Sequence, residues 1–383
     1  MMLLALLLVQ DWPQFRGPEG RGASAETDLP VEWGKDKGVR WKIDLPGRGL
    51  SCPVIAGGRL YVTACTGPEQ ERLHVLCFDA KTGARLWERR FTATGSTQCN
   101  GKTCMAAPTP AADGDRVFAL FATCDLVALD RDGNLLWVRS LCGDYPTIGN
   151  NVGMAASPVL QGDTLFVAIE SVGESFAAGL DARTGANRWK QARPAKINWT
   201  TPLVVGSDVL FQSGEELTAY DGKTGAKRWS LAGKFSTIPS PTEAGGTIFA
   251  PGGPLVALKP GKSEPTKDWE APHLASATAS PTVYKGRVYA LNSTGVVTCA
   301  DAKDGTVLWK ERAAGPQSAS PVFAGDRMYI VSEKGVTTVI QLGDEPKKLA
   351  ENDLGDTFVA TPAIWGGALY LRSDKALYCV GKP

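Results

Sequence analysis

The sequence predicts an all-β fold, an eight-bladed β-propeller made of four-stranded antiparallel blades. Three observations predict it. A segment that ends in Trp recurs along the chain, a small residue followed by proline precedes each recurrence, and the residues between these anchors alternate between apolar and polar. With 383 residues, of which 43% are apolar, the chain is long enough to bury the cores of such a ring.

The recurring segment carries Asp and Gly before its final Trp. It reads "CFDAKTGARLW" (77–87), "ALDRDGNLLW" (128–137), "GLDARTGANRW" (179–189), "AYDGKTGAKRW" (219–229) and "CADAKDGTVLW" (299–309). The anchor prolines are Pro53, Pro110, Pro158, Pro202, Pro241, Pro281, Pro321 and Pro362. Eight anchors, spaced by about forty residues, indicate eight structural repeats.

Inside each repeat the pattern predicts four short strands. The segment 279–310 contains the runs "SPTVY", "RVYAL", "VVTCAD" and "TVLWK", which we call strands A to D. Lys-Gly and Asp-Gly are among the turn residues that separate them. Four antiparallel strands in about forty residues are typical of one propeller blade.

Closure of the ring is predicted to use the N-terminal part of the chain. The eighth repeat reaches Pro383 before a fourth strand is formed. Upstream, "GVRWKIDLP" (38–46) carries Trp41 and has the pattern of a D strand. We therefore predict that this strand completes the last blade, which leaves no unpaired seam.

The repeats resemble the pyrroloquinoline-quinone (PQQ)-type, quinoprotein-like propeller repeats. Asp79, Gly83 and Trp87 match the Ala-x-Asp-x-x-x-Gly-x-x-x-Trp signature of that family, and the resemblance extends from about residue 38 over nearly the whole chain. In the family the tryptophan packs between neighbouring blades. The resemblance thus implies a blade-docking role for Trp41, Trp87, Trp137, Trp189, Trp229, Trp269 and Trp309.

The N-terminal segment and the blade type extend this resemblance. "DWPQFRGPEGRG" followed by "PGRGLSCPV" is similar to the opening of secreted PQQ-like repeat proteins of planctomycete-type bacteria. The blade type is similar to that of the outer-membrane barrel-assembly propeller lipoprotein. No lipobox cysteine follows the apolar N-terminus here, so lipid anchoring is not predicted.

The predicted organisation has three parts. Residues 1–10 are a short signal peptide or an ordinary apolar N-terminus, residues 11–37 are an N-terminal strap, and residues 38–383 are a single propeller domain. The run from Met2 to Val9 is too short to span a bilayer, and it lacks a basic flank and a small-x-small cleavage site. We expect an extracytoplasmic protein, periplasmic or secreted, without a transmembrane segment.

Composition narrows the classes of partner. Lys plus Arg number 41 and Asp plus Glu number 40, so no basic surface for nucleic acid is indicated. His74 and His273 are the only histidines and have no ligand spacing, which disfavours a zinc or haem site. No metal site is predicted.

The long loops are predicted to lie together on one face of the propeller. They are the B–C and D–A connections 66–72, 91–107, 140–156, 170–177, 191–199 and 271–278. A protein or small ligand is expected on this face, because binding residues concentrate on loops that a rigid scaffold positions. The candidate residues are Asp144, Tyr145, Asn150, Asn151, Met154, Glu170, Asn198 and Trp199. Alternatively, 143–156 is a strut that plugs the pore mouth. We expect a monomer.

The segment "TGSTQCNGKTC" (94–104) suggests three different sites. A phosphate loop requires four residues between its first Gly and Gly-Lys-Thr, but five separate Gly95 from Gly101, and no helix follows. Cys99 and Cys104 are predicted to form a disulfide, because six cysteines are expected on the loop face of an exported protein. Buried reduced thiols and a soft-metal site are the alternatives.

The innermost strands are predicted to line the channel with uncharged side chains. The residues before the anchor prolines are seven hydroxyls and one thiol, Cys52. Two positions earlier the only large aromatic residue is Trp199, a candidate stacking surface or simply a channel filler. Neither ring offers a general base or a calcium-binding carboxylate.

These observations favour a non-enzymatic binding or scaffold propeller with no catalytic residue and no cofactor. One alternative is a PQQ-dependent or quinone-binding oxidoreductase or electron-transfer protein that uses PQQ with calcium, although no adjacent Cys-Cys pair is present. A second alternative is carbohydrate binding, which rests on Trp199, Tyr145 and the Asn residues.

Overall fold

The computed structural model describes residues 10–382 and confirms the eight-bladed all-β propeller. Seven sheets have four strands and one has five. The predicted signal peptide falls on residues 1–10, of which only Gln10 belongs to the described part. Within the described range, no helix has the length and apolarity needed to cross a membrane.

Two strands precede the first blade, and blades one to four follow in chain order. The early elements are a 3-10 turn (Pro18–Gly20), β1 (Ala23–Ser24) and β2 (Val39–Asp44). Blade one contains β3 (Val54–Ala56), β4 (Arg59–Thr66), β5 (Arg72–Asp79) and β6 (Arg85–Thr92), and blade two contains β7 (Ala111–Ala112), β8 (Arg116–Leu120), β9 (Asp125–Asp130) and β10 (Leu135–Ser140). After the one-turn helix α1 (Leu141–Asp144) come β11 (Val159–Gln161), β12 (Thr164–Ile169), β13 (Phe176–Asp181) and β14 (Asn187–Ala192), then β15 (Leu203–Val205), β16 (Asp208–Gln212), β17 (Glu216–Asp221) and β18 (Lys227–Ala232).

Blades five to eight repeat the same order. They contain β19 (Thr242–Ala244), β20 (Thr247–Ala250), β21 (Leu255–Lys259) and β22 (Thr266–Ala271), a 3-10 turn (Pro272–Leu274), β23 (Thr282–Tyr284), β24 (Arg287–Leu291), β25 (Val296–Asp301) and β26 (Val307–Arg312). The last two blades contain β27 (Val322–Ala324), β28 (Arg327–Val331), β29 (Val336–Gln341) and β30 (Lys347–Asp353), then β31 (Ala363–Trp365), β32 (Ala368–Arg372) and β33 (Ala376–Gly381).

The N-terminal strand closes the ring as predicted. Strand β2 pairs antiparallel with β33 and becomes the outer strand of blade eight. The Trp41 indole N–H donates to the Lys81 carbonyl in blade one at 3.0 Å. The last blade is therefore joined to the first by both a strand and a side-chain contact.

The same contact recurs between neighbouring blades. Each bond joins an indole N–H to a backbone carbonyl near the C–D turn of the next blade: Trp87 to Arg131 (2.8 Å), Trp137 to Ala182 (3.0 Å), Trp189 to Gly222 (3.0 Å), Trp269 to Ala302 (3.2 Å) and Trp309 to Gly343 (3.2 Å). Trp229 is also buried.

Glycine in the C–D turn is needed for this packing. At Gly83, φ is +74°, and a Cβ there would lie 2.8 Å from the Trp41 ring. The Asp79 carboxylate accepts the N–H of Lys81 and of Thr82 at 3.0 and 2.8 Å, which shapes the turn. The recurring Asp and Gly thus form a turn that receives the preceding blade's Trp.

The strap crosses the face that carries the A–B turns. Trp12 exchanges two 2.8 Å backbone hydrogen bonds with Ile55 of blade one. The Arg16 guanidinium donates to the Pro281 carbonyl at 2.6 Å, although 265 residues separate the two. Its burial lowers the pKa of Arg16 to about 9. Further on, β1 pairs parallel with β27 as the fifth strand of blade seven, a pairing that the sequence pattern does not reveal.

Candidate functional site

The inner strands surround an axial cavity of about 380 Å³. Its wall consists of the two rings that the sequence predicts. The ring before the anchor prolines is Cys52, Thr109, Ser157, Thr201, Ser240, Ser280, Ser320 and Thr361. The second ring is Leu50, Ala107, Ala155, Trp199, Ile238, Thr278, Ser318 and Val359. The predicted uncharged lining is confirmed at all of these positions.

The hydroxyl ring carries a circle of seven hydrogen bonds around eight blades. Each of these backbone N–H groups donates to the side chain of the following blade: Cys52 to Thr109 (2.9 Å), Thr109 to Ser157 (3.0 Å), Ser157 to Thr201 (3.1 Å), Thr201 to Ser240 (2.9 Å), Ser240 to Ser280 (3.0 Å), Ser280 to Ser320 (2.9 Å) and Ser320 to Thr361 (3.0 Å). At the eighth junction the Cys52 thiol stands where the other blades have a hydroxyl.

This circle determines what the wall can offer to a ligand. Each hydroxyl oxygen already accepts a backbone N–H, so the O–H proton is the group left to donate. A wall of neutral donors suits a ligand with carbonyl, ether or hydroxyl oxygens. It provides no group that titrates near neutral pH for proton transfer.

One buried cation lies behind the wall. The Arg372 guanidinium donates to the Ser51 carbonyl at 3.1 Å and is almost fully buried. Burial lowers the pKa of Arg372 to about 10. The thiols of Cys104, Cys65 and Cys52 lie in its field. This corner of blades one and eight therefore places a positive charge behind the uncharged wall.

Each mouth of the cavity has its own cover. On the strap side Phe15 faces the cavity, and on the loop side Asn100, Lys102 and Thr103 do so. Sequence reasoning missed all four, because neither segment has strand alternation. A regular spacing from the anchor prolines identifies the residues of the cavity wall, but it does not identify the residues that cover the two mouths.

The loop-side cover belongs to "TGSTQCNGKTC", so this segment lies over the channel mouth. Arg48 holds it by donating to the Thr103 carbonyl at 2.9 Å and to the Gly101 carbonyl at 3.3 Å. Nearby, the Ser318 hydroxyl donates to Glu333 at 2.6 Å, and Lys102 lies 3.8 Å from the same carboxylate. Glu333 is an acidic residue near the mouth that the sequence did not single out.

Of the eight candidate residues on the loop face, Trp199 lines the cavity. Its indole N–H donates to the Gly153 carbonyl at 2.8 Å, so the ring is fixed by the loop that enters blade three. Asn198 is buried instead, and its amide donates to the Gln212 carbonyl at 2.7 Å. The two adjacent residues thus point into different environments.

Asp144 and Tyr145 lie towards the outside of blade three. The Asp144 carboxylate pairs with Arg139 at 2.6 Å. The Tyr145 ring packs on Phe176 with ring centroids 4.8 Å apart, and the Lys190 ammonium lies 4.0 Å above it. Both side chains have protein partners and neither lines the cavity.

The other candidates hold the loops in place or lie at their surface. The Asn150 carbonyl oxygen accepts the Gly153 N–H at 3.1 Å, Met154 is fully buried, and Asn151 is exposed. The Glu170 carboxylate pairs with Arg193 at 2.9 Å, with both side chains almost inaccessible. Burial nevertheless raises the pKa of Glu170. A buried ion pair of this kind fixes the 170–175 loop.

All nine cysteines are free thiols in the structure. The Cys99 sulfur lies 3.8 Å from the Thr103 carbonyl, so the tip of the loop is compact. The Cys104 thiol, however, also neighbours that of Cys65, whose pKa it lowers. The predicted Cys99–Cys104 bridge stays a prediction, with Cys65 as a second neighbour of Cys104.

The wall does not fit PQQ with calcium. PQQ carries three carboxylates, and a hard cation requires oxygen ligands that include carboxylates. Lys102 is the one charged residue among those that line the cavity. In residues 10–382, no three His, Cys, Asp or Glu side chains come together as a metal site would require.

The fold and the cavity define a class: closed eight-bladed propellers built from PQQ-type repeats. A family model described as outer membrane protein assembly factor BamB matches residues 17–171, 149–264 and 262–345. These segments cover most of the chain, which therefore belongs to this family.

The two curated relatives that match part of the chain are both named as polyvinylalcohol dehydrogenases. A polyvinylalcohol dehydrogenase from Sphingopyxis sp. (strain 113P3) is 27% identical over 241 residues, which are 50% of this chain and 35% of that protein. This chain therefore spans about a third of that relative's length. The activity of the whole relative cannot be assigned to it from the match.

Two solved structures show the same fold. BamB from Moraxella catarrhalis is similar with a TM-score of 0.65 and 19% identity, over 89% of this chain and 96% of that one. Quinohemoprotein alcohol dehydrogenase from Comamonas testosteroni is similar with a TM-score of 0.73 and 15% identity, over 97% of this chain and 81% of that one. At these identities the likeness establishes the fold alone.

Proposed function

We propose that this protein is an extracytoplasmic binding propeller that docks a protein partner on its loop-rich face, as a monomer. The observation that carries the proposal is the contrast between that face and the axial wall. The loops of blades one to three form one continuous surface, whereas the wall has no group suited to acid–base chemistry. Membership of a family described as an outer-membrane protein assembly factor supports the same conclusion.

The surface is continuous because the loops contact one another. The Asn100 N–H donates to the Val152 carbonyl at 3.1 Å, and the Glu174 N–H donates to the Thr147 carbonyl at 2.9 Å. Val172, at the tip of the B–C loop of blade three, is 54% exposed. An apolar tip beside exposed polar residues on a fixed surface is a common arrangement at protein interfaces.

The test is site-specific photo-crosslinking in the organism that produces the protein. A photoreactive residue at Asn151 samples the loop face, and one at Lys223 samples the C–D turn of blade four on the opposite face; both positions are exposed. We expect a discrete cross-linked protein from position 151 and none from 223. Equal labelling from both positions, or none from 151, would contradict the proposed face.

The second candidate function is a PQQ-dependent oxidoreductase, favoured by the named dehydrogenase among the relatives. A ligand that binds only the folded state raises the melting midpoint in a saturable way. We expect no shift with PQQ and calcium, because the cavity wall is neutral. A saturable rise would replace the binding proposal with the oxidoreductase.

Carbohydrate binding has less support. This function would need Trp199, Tyr145 and the Asn side chains to form one surface, but Tyr145 packs against Phe176 and Lys190, away from the cavity. Trp199 alone would supply a single stacking surface.

A further inference from the structure

We propose that two disulfides, Cys65–Cys104 and Cys124–Cys142, fasten the loop face in the mature protein. Each disulfide would join a residue at or just after the end of a blade's B strand to the D–A connection that leads into the next blade. The inference rests on the proposed function for one premise, that the protein lies in an oxidising compartment. The pairing itself rests on the contacts of these side chains.

The first pair is held by a shared acceptor. The Gln70 side-chain oxygen lies 3.2 Å from the Cys65 sulfur and accepts the N–H of Met105, the residue after Cys104, at 3.1 Å. The two thiols are close enough for each to shift the pKa of the other, downward for Cys65 and upward for Cys104. Cys104 is fully buried, so its neighbours in the fold determine its partner.

The second pair has equivalent contacts one blade further on. The Leu141 N–H donates to the Cys124 carbonyl at 3.0 Å, and the Cys142 sulfur lies 3.6 Å from the Thr123 carbonyl. The Asn150 amide lies 3.7 Å from the Cys124 sulfur. These two thiols are also close enough for each to shift the pKa of the other, downward for Cys142 and upward for Cys124.

Each pair contains one thiol that is ready to react. The hydrogen bond from Cys104 lowers the pKa of Cys65 to about 7, and the nearby Arg372 guanidinium acts in the same direction. The hydrogen bond from Cys124 likewise lowers the pKa of Cys142. The thiolate is the nucleophile in disulfide exchange, so the half-buried Cys142 would attack first in its pair.

The chemistry is ordinary thiol–disulfide exchange with a small or protein disulfide as oxidant. The Cys142 thiolate attacks one sulfur of the oxidant, the oxidant's S–S bond breaks, and one thiol leaves. The Cys124 thiolate then displaces the second oxidant thiol and forms the internal S–S bond. Overall, two cysteine thiols lose two electrons and two protons, and the oxidant disulfide becomes two thiols.

The remaining five cysteines have other surroundings. Cys77, Cys299 and Cys379 lie within strands as buried thiols, and Cys52 takes part in the hydroxyl ring. Cys99 is half-buried, with the Gln70 amide 4.0 Å from its sulfur. We expect all five to stay reduced.

The test is peptide mapping of the purified, glutathione-disulfide-treated protein, with free thiols alkylated under denaturing conditions and no reductant added. We expect cross-linked peptides that join Cys65 to Cys104 and Cys124 to Cys142, with the other five cysteines alkylated. A Cys99–Cys104 peptide, or alkylation at all nine positions, would overturn the pairing.

Two variants provide the matched comparison. Cys99→Ser should leave both cross-linked peptides in place, whereas Cys104→Ser should release Cys65 for alkylation and leave Cys124–Cys142 intact. Loss of the Cys65–Cys104 peptide in Cys99→Ser would also refute the first pair. Because the experiment uses purified protein and an added oxidant, it can fail while photo-crosslinking at Asn151 succeeds, and the reverse.

Discussion

The two covers of the axial cavity are attached to the propeller in different ways. The strap that carries Phe15 buries Trp12 and Arg16, and its backbone pairs with inner strands on both sides of the ring. The loop that carries Lys102 is exposed at its tip, which is held by the Arg48 side chain and by a backbone hydrogen bond from Asn100 to Val152. One cover is part of the core, and the other lies on its surface.

This difference indicates which mouth can open. Displacing the strap would break its backbone pairing and expose a buried Trp. Moving the tip of the loop requires the loss of only a few hydrogen bonds, those from Arg48 and the one from Asn100 to Val152, and such segments open at low free energy. We therefore expect any exchange with the cavity to occur through the loop face.

Trp12→Ala is the strongest test of the strap as a core element. Truncating a fully buried Trp should lower the free energy of unfolding by about 3–5 kcal/mol. Urea denaturation measures this loss, with the exposed Glu19→Ala as control. A loss below about 1 kcal/mol would mean that the strap is no more firmly attached than an ordinary surface segment.

Arg16→Met tests the anchor at blade six. The variant keeps the apolar stem but leaves the Pro281 carbonyl without its buried donor, so we expect a loss of about 2 kcal/mol. Arg21→Met is the matched control, because Arg21 is 45% exposed and pairs with Glu243 at the surface. Equal losses in the same denaturation assay would argue against a special role for Arg16.

Arg48→Met tests the loop without touching the strap. We expect a global change below about 1 kcal/mol, since Arg48 is half-exposed. Trypsin cleavage after Lys102 in the native protein should become about fivefold faster, because about 1 kcal/mol of local stability is lost. Arg85→Met, an exposed change on the same blade, should leave that cleavage rate unchanged.

The smallest effect expected is a difference in thiol reactivity within the loops of the reduced protein. Cys142 and Cys99 are both half-buried, but the Cys124 hydrogen bond lowers the pKa of Cys142 whereas burial raises the pKa of Cys99. Only the thiolate reacts, so alkylation of Cys142 should reach half its maximal rate at a lower pH than that of Cys99.

Site-resolved mass spectrometry after timed alkylation at several pH values provides the measurement. Cys124→Ala removes the donor and should raise the half-maximal pH for Cys142 while leaving that for Cys99 in place. Identical pH profiles for the two residues in the unmodified chain would show that the Cys124 contact has no effect on reactivity.

The sequence predicted the parts of the fold that repeat. Each anchor proline sets a register, so the wall residues around it could be named position by position, Trp199 included. The strand expected at 38–46 is observed at Val39–Asp44, because its alternation and its Trp match those of the other outer strands. Local patterns sufficed where every blade obeys the same rule.

The covers and the loop contacts could not be predicted in this way. Arg16 meets Pro281 across 265 residues, and Glu170 meets Arg193 between two different loops, with no periodicity to signal either contact. Met154 was expected on the binding surface but is buried, because the 150–153 turn folds inward over the Ala122 carbonyl. Tertiary packing, not local pattern, decides these positions.

The hydroxyl circle has a direction. Seven inner backbone N–H groups donate to the next blade in the same sense, and each acceptor is a hydroxyl oxygen. At the junction of blades eight and one the corresponding side chain is the Cys52 thiol, whose sulfur is a weaker acceptor than oxygen. The N-terminal strand closes that same junction, so strand pairing stabilises the ring where its inner hydrogen bonding is weakest.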